Sequence, residues 1–336
     1  MGKILFNMKK ILYVGDYHCQ VSNLKDSESL MDFIIELAKK EKVDVIIFLG
    51  DQFHTHAVLR LEVINFWSKK LRLLNLICPT YLLIGNHDMK GDNESTAEDI
   101  NSMVGFNTDN ALWENIKIID KPTVVESIGM IPYFKKEEDF IKACQGMYNQ
   151  GATGCLVAHQ TFTGAQYENG FFSEEGIDPA LVPQQEIISG HIHKSQQVGK
   201  CFYPGTPKWD TMSDANQPKG LYVITHAEDG TIIEKQFFPT DHIVTPIKSY
   251  EIKEGDKLPE LNPEARNYVV LEGKSAWISK IKKKIGKIAS IKVKPTDRIT
   301  RVNKDNSATL EKYLETEFQP IDGITKQDLK EFVSNI

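Results

Sequence analysis

The stretch VDVIIFLGDQFH, residues 43–54, holds the pattern on which the interpretation of the fold depends. Residues 45–49 are apolar without interruption, as expected of a β-strand that is covered on both faces. The run ends at Gly50, and Asp51 and His54 follow directly. Because open α/β sheets bind ligands at the carboxyl ends of their strands, the stretch predicts a buried strand that carries polar side chains into a site.

The same strand-then-turn pattern occurs on both sides of this stretch. KKILYVGD (9–16) and PTYLLIGNHD (79–88) are strand-like runs that end in a turn and polar residues. Two helix-patterned stretches separate the three runs, one with apolar residues at helical spacing between 30 and 37 and one over about 57–75. This alternation predicts parallel strands joined by right-handed crossovers.

Later strand-like runs extend this pattern into a larger fold. They are NIKIID (115–120), TVVESIGMIPY (123–133), GCLVAH (154–159), EIISGHIH (186–193) and GLYVITHA (220–227). Their hairpin-like spacing predicts an α/β fold with two mixed β-sheets packed face to face and flanked by helices. Residues 160–183 are rich in Gly, Gln and Glu, and we expect a long loop there that overhangs the site.

The pattern of predicted secondary structure changes near residue 245, and we predict that the chain has three parts. Residues 1–245 form the main domain. Residues 246–305 form a small basic α/β capping domain, which reads as strand, helix and strand. Residues 306–336 form a helical tail with two amphipathic stretches, whose apolar faces carry Leu310, Tyr313, Leu314 and Phe318, then Leu329, Phe332, Val333 and Ile336. That tail either packs on its own core or docks on a partner.

Composition favours a globular chain outside the membrane. Its 336 residues are 41% hydrophobic and 26% charged, and no apolar run reaches the length of a membrane-spanning helix. The apolar patch near the N-terminus is too short for a signal peptide, so we expect a cytoplasmic protein. Residues 274–301 hold ten Lys and Arg against one acid, although the whole chain has a net charge of −6. Such a basic run is either a solvated face or a contact to nucleic-acid phosphates.

Six of the nine histidines fall at predicted strand ends. Side chains two residues apart near a strand end point the same way, so Asp16 and His18 form one pair and His191 and His193 another. Any one of these residues has an ordinary structural explanation, but the complete set indicates a metal site. The polar strand-end residues are Asp16, His18, Asp51, His54, Asn86, His87, Asp88, His159, His191 and His193.

The motifs DxH, GDxxH, GNHD, a lone His and GHxH, in this order over residues 16–193, resemble those of the calcineurin-like metallophosphoesterases. Within that superfamily the chain is most similar to the SbcD nuclease subunits of SbcCD-type double-strand-break processing complexes, and especially to phage-encoded members. The secondary motifs IPY (131–133) and YPGTP (203–207) carry this closer likeness. The resemblance implies a metallophosphoesterase core of two packed sheets.

The resemblance also implies two divalent metal ions with Asp51 as the shared ligand. Manganese is the ion implied, while nitrogen and oxygen donors alone are also compatible with magnesium, iron or zinc. One ion would be bound by Asp16, His18, Asp51 and His193, and the other by Asp51, Asn86, His159 and His191.

Three further residues receive catalytic roles. By chemistry, His87 is the general acid for the departing sugar oxygen. Asp88 would hold the second ring nitrogen of His87 or cap a helix, and the resemblance assigns His54 a contact to the scissile phosphate. We expect His56 to be a surface residue.

The function predicted from these features is a metal-dependent DNA exonuclease or endonuclease subunit, which acts at DNA ends in recombination, repair or replication. Its expected partners are double- and single-stranded DNA, an SbcC-like ATPase subunit and a second copy of the chain, and no membrane. Lys282, Lys283 and Lys284 are the expected DNA contacts. The alternatives are hydrolysis of a small phosphodiester or phosphomonoester and a non-catalytic scaffold, which the complete ligand set disfavours.

Overall fold

The computed structural model describes residues 8–56, 58–90, 97–98, 100–106, 113–297, 325 and 327. All of the predicted tail except residues 325 and 327 therefore lies outside the described residues. The strands are β1 (Lys9–Val14), β2 (Val45–Phe48), β3 (Thr80–Leu83), β4 (Ile116–Ile119), β5 (Thr123–Val125), β6 (Ile128–Ile131), β7 (Cys155–His159), β8 (Glu186–Gly190), β9 (Gln196–Val198), β10 (Cys201–Tyr203), β11 (Gly220–His226), β12 (Ile232–Pro239), β13 (Ile247–Lys253), β14 (Arg266–Gly273) and β15 (Ala289–Pro295). The α-helices are α1 (Leu24–Glu41), α2 (Leu61–Leu74), α3 (Glu137–Asn149) and α4 (Ser275–Ile285).

The first sheet has the strand order β12-β11-β1-β2-β3-β4. Strands β1 to β4 run parallel, with α1 and α2 as the first two crossovers, and β11 pairs antiparallel with β1. The predicted parallel β-α-β-α-β order is thereby confirmed. Because the four strands are parallel, the loops that follow β1, β2 and β3 all leave from the same edge of the sheet.

The second sheet has the order β5-β6-β7-β8-β10-β9. Its central strands β6, β7, β8 and β10 are parallel, while β5 and β9 pair antiparallel at the two edges. Both sheets are therefore mixed, and the predicted fold class is confirmed.

Alternating side chains along the strands divide the core into two layers. Tyr13 of β1 packs with Cys155 and Val157 of β7 in a cluster shared by the two sheets. The intervening residues Leu156 and Ala158 belong to a second cluster, which covers the α3 side of the second sheet. Strands buried on both faces are apolar throughout, which is why the sequence pattern identified them.

A smaller unit comprises residues 249–263 and the chain from residue 267 onward. In its described part, β14 and β15 pair in parallel and α4 connects them. Ile278, Ile281 and Ile285 form the buried face of α4, and Lys282, Lys283 and Lys284 are exposed. The domain limits given above stay predictions. No helix among the described residues is long and apolar enough to cross a bilayer.

Two buried lysines of the main unit differ in the acids that they contact. Lys219, just before β11, lies 2.6 Å from the fully buried Asp214 carboxylate and also donates to the carbonyl of His193 at 2.9 Å. Lys70 of α2 lies 2.6 Å from both Glu28 and Asp32 of α1, which remain 45% and 61% exposed. Removal of Lys219 and removal of Lys70 should therefore change the free energy of unfolding by different amounts.

We expect Lys219→Met to lower the free energy of unfolding by about 3–5 kcal/mol, because the buried Asp214 carboxylate loses its cation and keeps only neutral hydrogen-bond donors. Lys70→Met should cost about 1 kcal/mol or less, since its carboxylates stay in contact with water. Urea denaturation of the two variants beside the wild type measures the difference. Equal losses would contradict this account of the Lys219–Asp214 pair.

Candidate metal centre

The polar residues predicted from the sequence meet where the parallel strands of both sheets end. Asp16 and His18 follow β1, Asp51 follows β2, and the turn after β3 contributes Asn86 and His87. From the second sheet, His159 is the last residue of β7, and His191 and His193 follow β8. The interatomic distances divide them into two groups that overlap at Asp51.

The first group contains His18, His193 and Asp51. The two histidine Nε2 atoms lie 3.0 Å apart, and His18 Nε2 is 3.6 Å from Asp51 Oδ2. Asp16 is fully buried beside them, and its Oδ1 accepts a hydrogen bond from the backbone N–H of His191 at 2.9 Å. The other oxygen, Oδ2, is buried without a hydrogen-bond partner. It is therefore free to bind a cation.

The second group contains Asp51, Asn86, His159 and His191. Asn86 Oδ1 lies 3.0 Å from His159 Nε2 and 2.8 Å from His191 Nδ1. Asp51 Oδ2 is 3.4 Å from His159 Nε2. The same carboxylate oxygen thus faces a histidine of each group, as a shared ligand must.

The donor set fits divalent cations. His159 Nδ1 donates to the carbonyl of Leu49 at 2.7 Å, so the lone pair of a neutral His159 would be on Nε2 and would face the oxygens of Asn86 and Asp51. Facing acceptors need a positive charge between them. Ligand atoms about 2.1 Å from one tetrahedral metal are about 3.4 Å apart, close to the distances found here.

The titration of the two histidines in the second group reflects the same need for positive charge. Burial alone would lower the pKa of His159, but the carboxylates of Asp51 and Asp16 and the carbonyl of Leu49 together raise this pKa to about 9. Burial, together with the charge on His159, lowers the pKa of His191 to about 3. A proton on His159 therefore supplies the positive charge that a bound metal ion would otherwise supply beside Asp51.

Three residues of the site adopt left-handed backbone conformations. The φ angles are 44° at His18, 53° at Asp51 and 80° at His191. Such angles are uncommon outside glycine and store strain that surrounding contacts must hold. Here the N–H of His18 donates to the carbonyl of Asp51 at 2.8 Å, and the N–H of His191 donates to Asp16. Strain held in this way is typical of functional sites.

His87 borders the first group. Its Nδ1 donates to the carbonyl of His54 at 2.6 Å, and its backbone N–H donates to Asp51 Oδ1 at 2.8 Å. A ring nitrogen of His87 lies within 4.8 Å of ligand atoms of His18 and Asp51. Its position is compatible with proton transfer beside the candidate metal site and also with metal binding.

Asp88 contacts backbone amides and not the ring of His87. It is buried, and its two oxygens accept hydrogen bonds from the N–H groups of Gln52, Phe53 and Gly85 at 3.0–3.2 Å. Burial raises its pKa to about 7, and the Asp51 charge adds to this. The described residues after it begin no helix at this point, so Asp88 takes neither of its two expected positions. It connects the loops that follow β2 and β3.

The other histidines differ in how closely they approach the site. The ring of His54 lies 5.3 Å from that of His18, with Nδ1 buried and unpartnered. His56 is exposed, as expected, but its ring stacks on His87 with 4.2 Å between centroids. The contact between His56 and His87 was not predicted, because the sequence does not show how the loops that follow β2 and β3 fold toward each other.

Glu168 is a further residue that the sequence did not single out. Its Oε1 accepts from the backbone N–H of His193 at 2.9 Å and lies 3.8 Å from the ring Nδ1. Two reciprocal hydrogen bonds between Gln166 and Gln196, of 2.8 and 2.7 Å, fix this loop beside the GHxH segment. The predicted overhanging loop thus brings a carboxylate to a metal-ligand candidate, a common arrangement around metal sites.

Residues 9–195 match the family model described as Calcineurin-like phosphoesterase. The chain belongs to this family. Its members use divalent metals, in agreement with the His and Asp groups described above. The family resemblance inferred from the motifs is confirmed.

Proteins that are similar to the chain in sequence include two viral phosphoesterases and a phage exonuclease subunit. The predicted phosphoesterase 244L of Invertebrate iridescent virus 6 is 31% identical over 206 residues, which are 59% of this chain and 69% of that protein. The predicted phosphoesterase 078R of Invertebrate iridescent virus 3 is 26% identical over 60% of this chain and 58% of its own length. Exonuclease subunit 1 of Enterobacteria phage T4 is 27% identical over 245 residues, 69% of this chain and 68% of that protein.

Solved structures of similar proteins include the phosphoesterase Yfce from E. coli, with 13% identity, a TM-score of 0.32, and coverage of 68% of this chain and 98% of that one. The Pseudomonas putida nuclease MPE has 14% identity, a TM-score of 0.31 and coverage of 68% and 86%. A Mycoplasma pneumoniae phosphatase has 12% identity, a TM-score of 0.41 and coverage of 70% and 94%.

Gly85 makes room for the shared carboxylate. A Cβ at this position would lie 2.2 Å from Asp51 Oδ1 and 2.4 Å from its backbone nitrogen, whereas a Cβ on Gly105 would meet nothing within 4 Å. We expect Gly85→Ala to weaken Mn²⁺ binding about tenfold or more, in the range found when support of a ligand is lost. Titration calorimetry checks this, with Gly105→Ala as the matched control and circular dichroism to verify folding. Equal affinities in the two variants would refute the steric argument.

Proposed function

We propose that this protein is a metal-dependent DNA nuclease that hydrolyses phosphodiester bonds at DNA ends. The observation that carries the hydrolytic part of the proposal is the pair of ligand groups that share Asp51 Oδ2. Two divalent ions would bring four positive charges against the two carboxylates of Asp16 and Asp51. The remaining two positive charges would suit one hydroxide and one phosphodiester anion, each of which carries a single negative charge.

The ligands of the proposed ions are Asp16, His18, Asp51, Asn86, His159, His191 and His193. Bound divalent ions, for which we propose manganese, would supply an activated water and offset charge on the phosphoryl group. In this proposal His87 donates a proton to the departing sugar oxygen, and its Nδ1 contact to the His54 carbonyl holds the ring in place. Asp88 acts indirectly, because it fixes the two loops that bear Asp51 and His87.

DNA as the substrate is supported by the phage T4 relative, which is named an exonuclease subunit. The exposed lysines of α4 support it as well, since clustered cations neutralise phosphates. We further propose an SbcC-like ATPase partner and a second copy of the chain. The sequence has no Walker motif of its own, and the tail proposed to dock on the ATPase lies outside the described residues.

Cleavage of DNA with added Mn²⁺ or Mg²⁺ is the direct test. We expect the purified protein to degrade labelled duplex or single-stranded DNA and to hydrolyse bis(p-nitrophenyl) phosphate. Asp51→Ala should abolish both activities and metal binding, because both ligand groups lose their common member. Hydrolysis of the chromogenic ester without any DNA cleavage would favour a small-molecule phosphodiesterase.

The role of His87 can be separated from metal binding. We expect His87→Ala to retain wild-type metal content and to slow cleavage by about 10²–10⁴-fold, the usual contribution of general acid–base catalysis. Elemental analysis of the metal-loaded protein and single-turnover cleavage measure the two properties. Loss of an ion from this variant would make His87 a ligand, which its distance from His18 and Asp51 would permit.

The lysines of α4 should contribute affinity without sequence preference. We expect the triple change of Lys282, Lys283 and Lys284 to Gln to weaken duplex binding. The dependence of log K on log salt should flatten by about 0.9 for each phosphate contact that is lost. Substitution of the exposed Lys39, Lys40 and Lys42 by Gln changes the net charge equally and serves as the control. The same loss in both variants would reduce the effect to overall charge.

A further inference from the structure

A pocket of about 340 Å³ lies beside His87, between the loops that follow β2 and β3. Thr55 and Leu59 line it from the first loop, and Met89, Ile100 and Ser102 line it from the second, with the ring of His87 also in its wall. This volume is near the lower end of the roughly 300–1,000 Å³ of small-molecule pockets. It suits a single nucleoside and not a stack of several bases.

The second wall of the pocket is held by specific hydrogen bonds. Met89 and Asn101 form an antiparallel bridge, so the chain folds back on itself after the GNHD turn. Ser102 donates from its backbone N–H to the carbonyl of Asp88 at 2.7 Å and from its hydroxyl to the Asp88 carboxylate at 3.4 Å. Asp88, which connects the loops that follow β2 and β3, therefore also holds this wall of the pocket in place.

The pocket presents apolar surface to solvent. Leu59 is 39% exposed and Ile100 is 52% exposed, while Met89 is buried. Apolar walls with a few polar groups are characteristic of sites that bind small organic groups. A flat ring that covered Leu59 and Ile100 would remove this surface from water, which is favourable.

The position of the pocket relative to His87 indicates which part of a substrate would enter it. The His87 ring lies 4.8 Å from that of His18 and also forms part of the pocket wall. In the proposed reaction His87 protonates the leaving oxygen. A nucleoside that bears this oxygen would then lie next to His87, and its base would be within reach of the pocket.

We propose that this pocket binds the nucleobase of the nucleotide on the leaving-group side of the scissile bond. The inference rests on the proposed phosphodiesterase activity and adds a substrate preference. Esters whose leaving group carries a flat heteroaromatic ring are cleaved faster than esters without one. This preference concerns the presence of a base and not its identity, and the polar residues Thr55, Lys90, Asn101 and Ser102 also line the pocket.

The cleavage test uses dinucleotides with one phosphodiester bond. One substrate carries thymine on both sides, and two others replace the nucleoside on one side by an abasic tetrahydrofuran residue. The phosphate position on the products shows which side leaves. We expect loss of the leaving-side base to lower kcat/KM about tenfold or more, a usual effect of lost apolar contacts in a pocket. Loss of the other base should have a smaller effect.

Variants of the pocket residues test whether the preference for a leaving-side base depends on the pocket. In the double variant Leu59→Ala and Ile100→Ala, the ratio of kcat/KM for base-bearing and abasic substrates should fall toward one. Both side chains are partly exposed, so folding should be retained, and thermal melting checks this. Leu76→Ala removes an apolar side chain that is 78% exposed and does not line the pocket, so it should keep the wild-type ratio. An unchanged ratio in the double variant would overturn the inference.

A binding measurement separates this inference from the nuclease proposal. Titration of the protein into 2-aminopurine deoxyriboside, followed by fluorescence, needs no cleavage. Binding by the wild type that weakens about tenfold in the double variant would support the pocket, even if DNA were not cut and only bis(p-nitrophenyl) phosphate were hydrolysed. DNA cleavage without nucleoside binding and without a base preference would overturn the pocket and leave the nuclease proposal intact.

Discussion

The carboxylate of Asp51 is the group on which the rest of the site depends. Its Oδ2 lies 3.6 Å from His18 Nε2 in the first sheet system and 3.4 Å from His159 Nε2 in the second, so one side chain connects the two sheets at their strand ends. Its Oδ1 accepts the backbone N–H of His87. This position requires a left-handed φ of 53° and a glycine at residue 85 to leave space.

Burial of this carboxylate would be unfavourable without its neighbours. Burial raises the pKa of Asp51, but His159, His18 and His87 together hold it well below the usual range. Asp88 lies close by and is equally buried, yet burial and the charge on Asp51 raise its pKa to about 7, although three backbone amides oppose this rise. Two neighbouring aspartates thus differ in ionisation, and only the one surrounded by imidazoles has the charge that a metal site needs.

Local sequence was sufficient to predict the strands that carry the polar residues at their ends, but it did not predict β9, β10, β12 and β13. The continuous apolar run indicates that β2 is buried, and the Gly50-Asp51 pair that follows it indicates where the functional residue Asp51 lies. The sequence could not predict contacts that depend on how loops fold back, such as those of Glu168 with His193, His56 with His87 and Asp88 with three amides. Each depends on a turn whose geometry involves residues far apart in the chain.

The difference between residues at strand ends and residues in loops has a consequence for substrate choice. The strand ends supply a set of imidazoles and carboxylates that suits phosphoester chemistry in general and carries no information about the group attached to the phosphate. Discrimination between substrates must therefore come from the surrounding loops. Those loops are physically joined to the candidate metal centre, since Asp88 accepts hydrogen bonds from the amide of Gln52 and from Ser102 in the pocket wall. In the proposed reaction, we therefore expect occupation of the pocket to be coupled to the positions of Asp51 and His87.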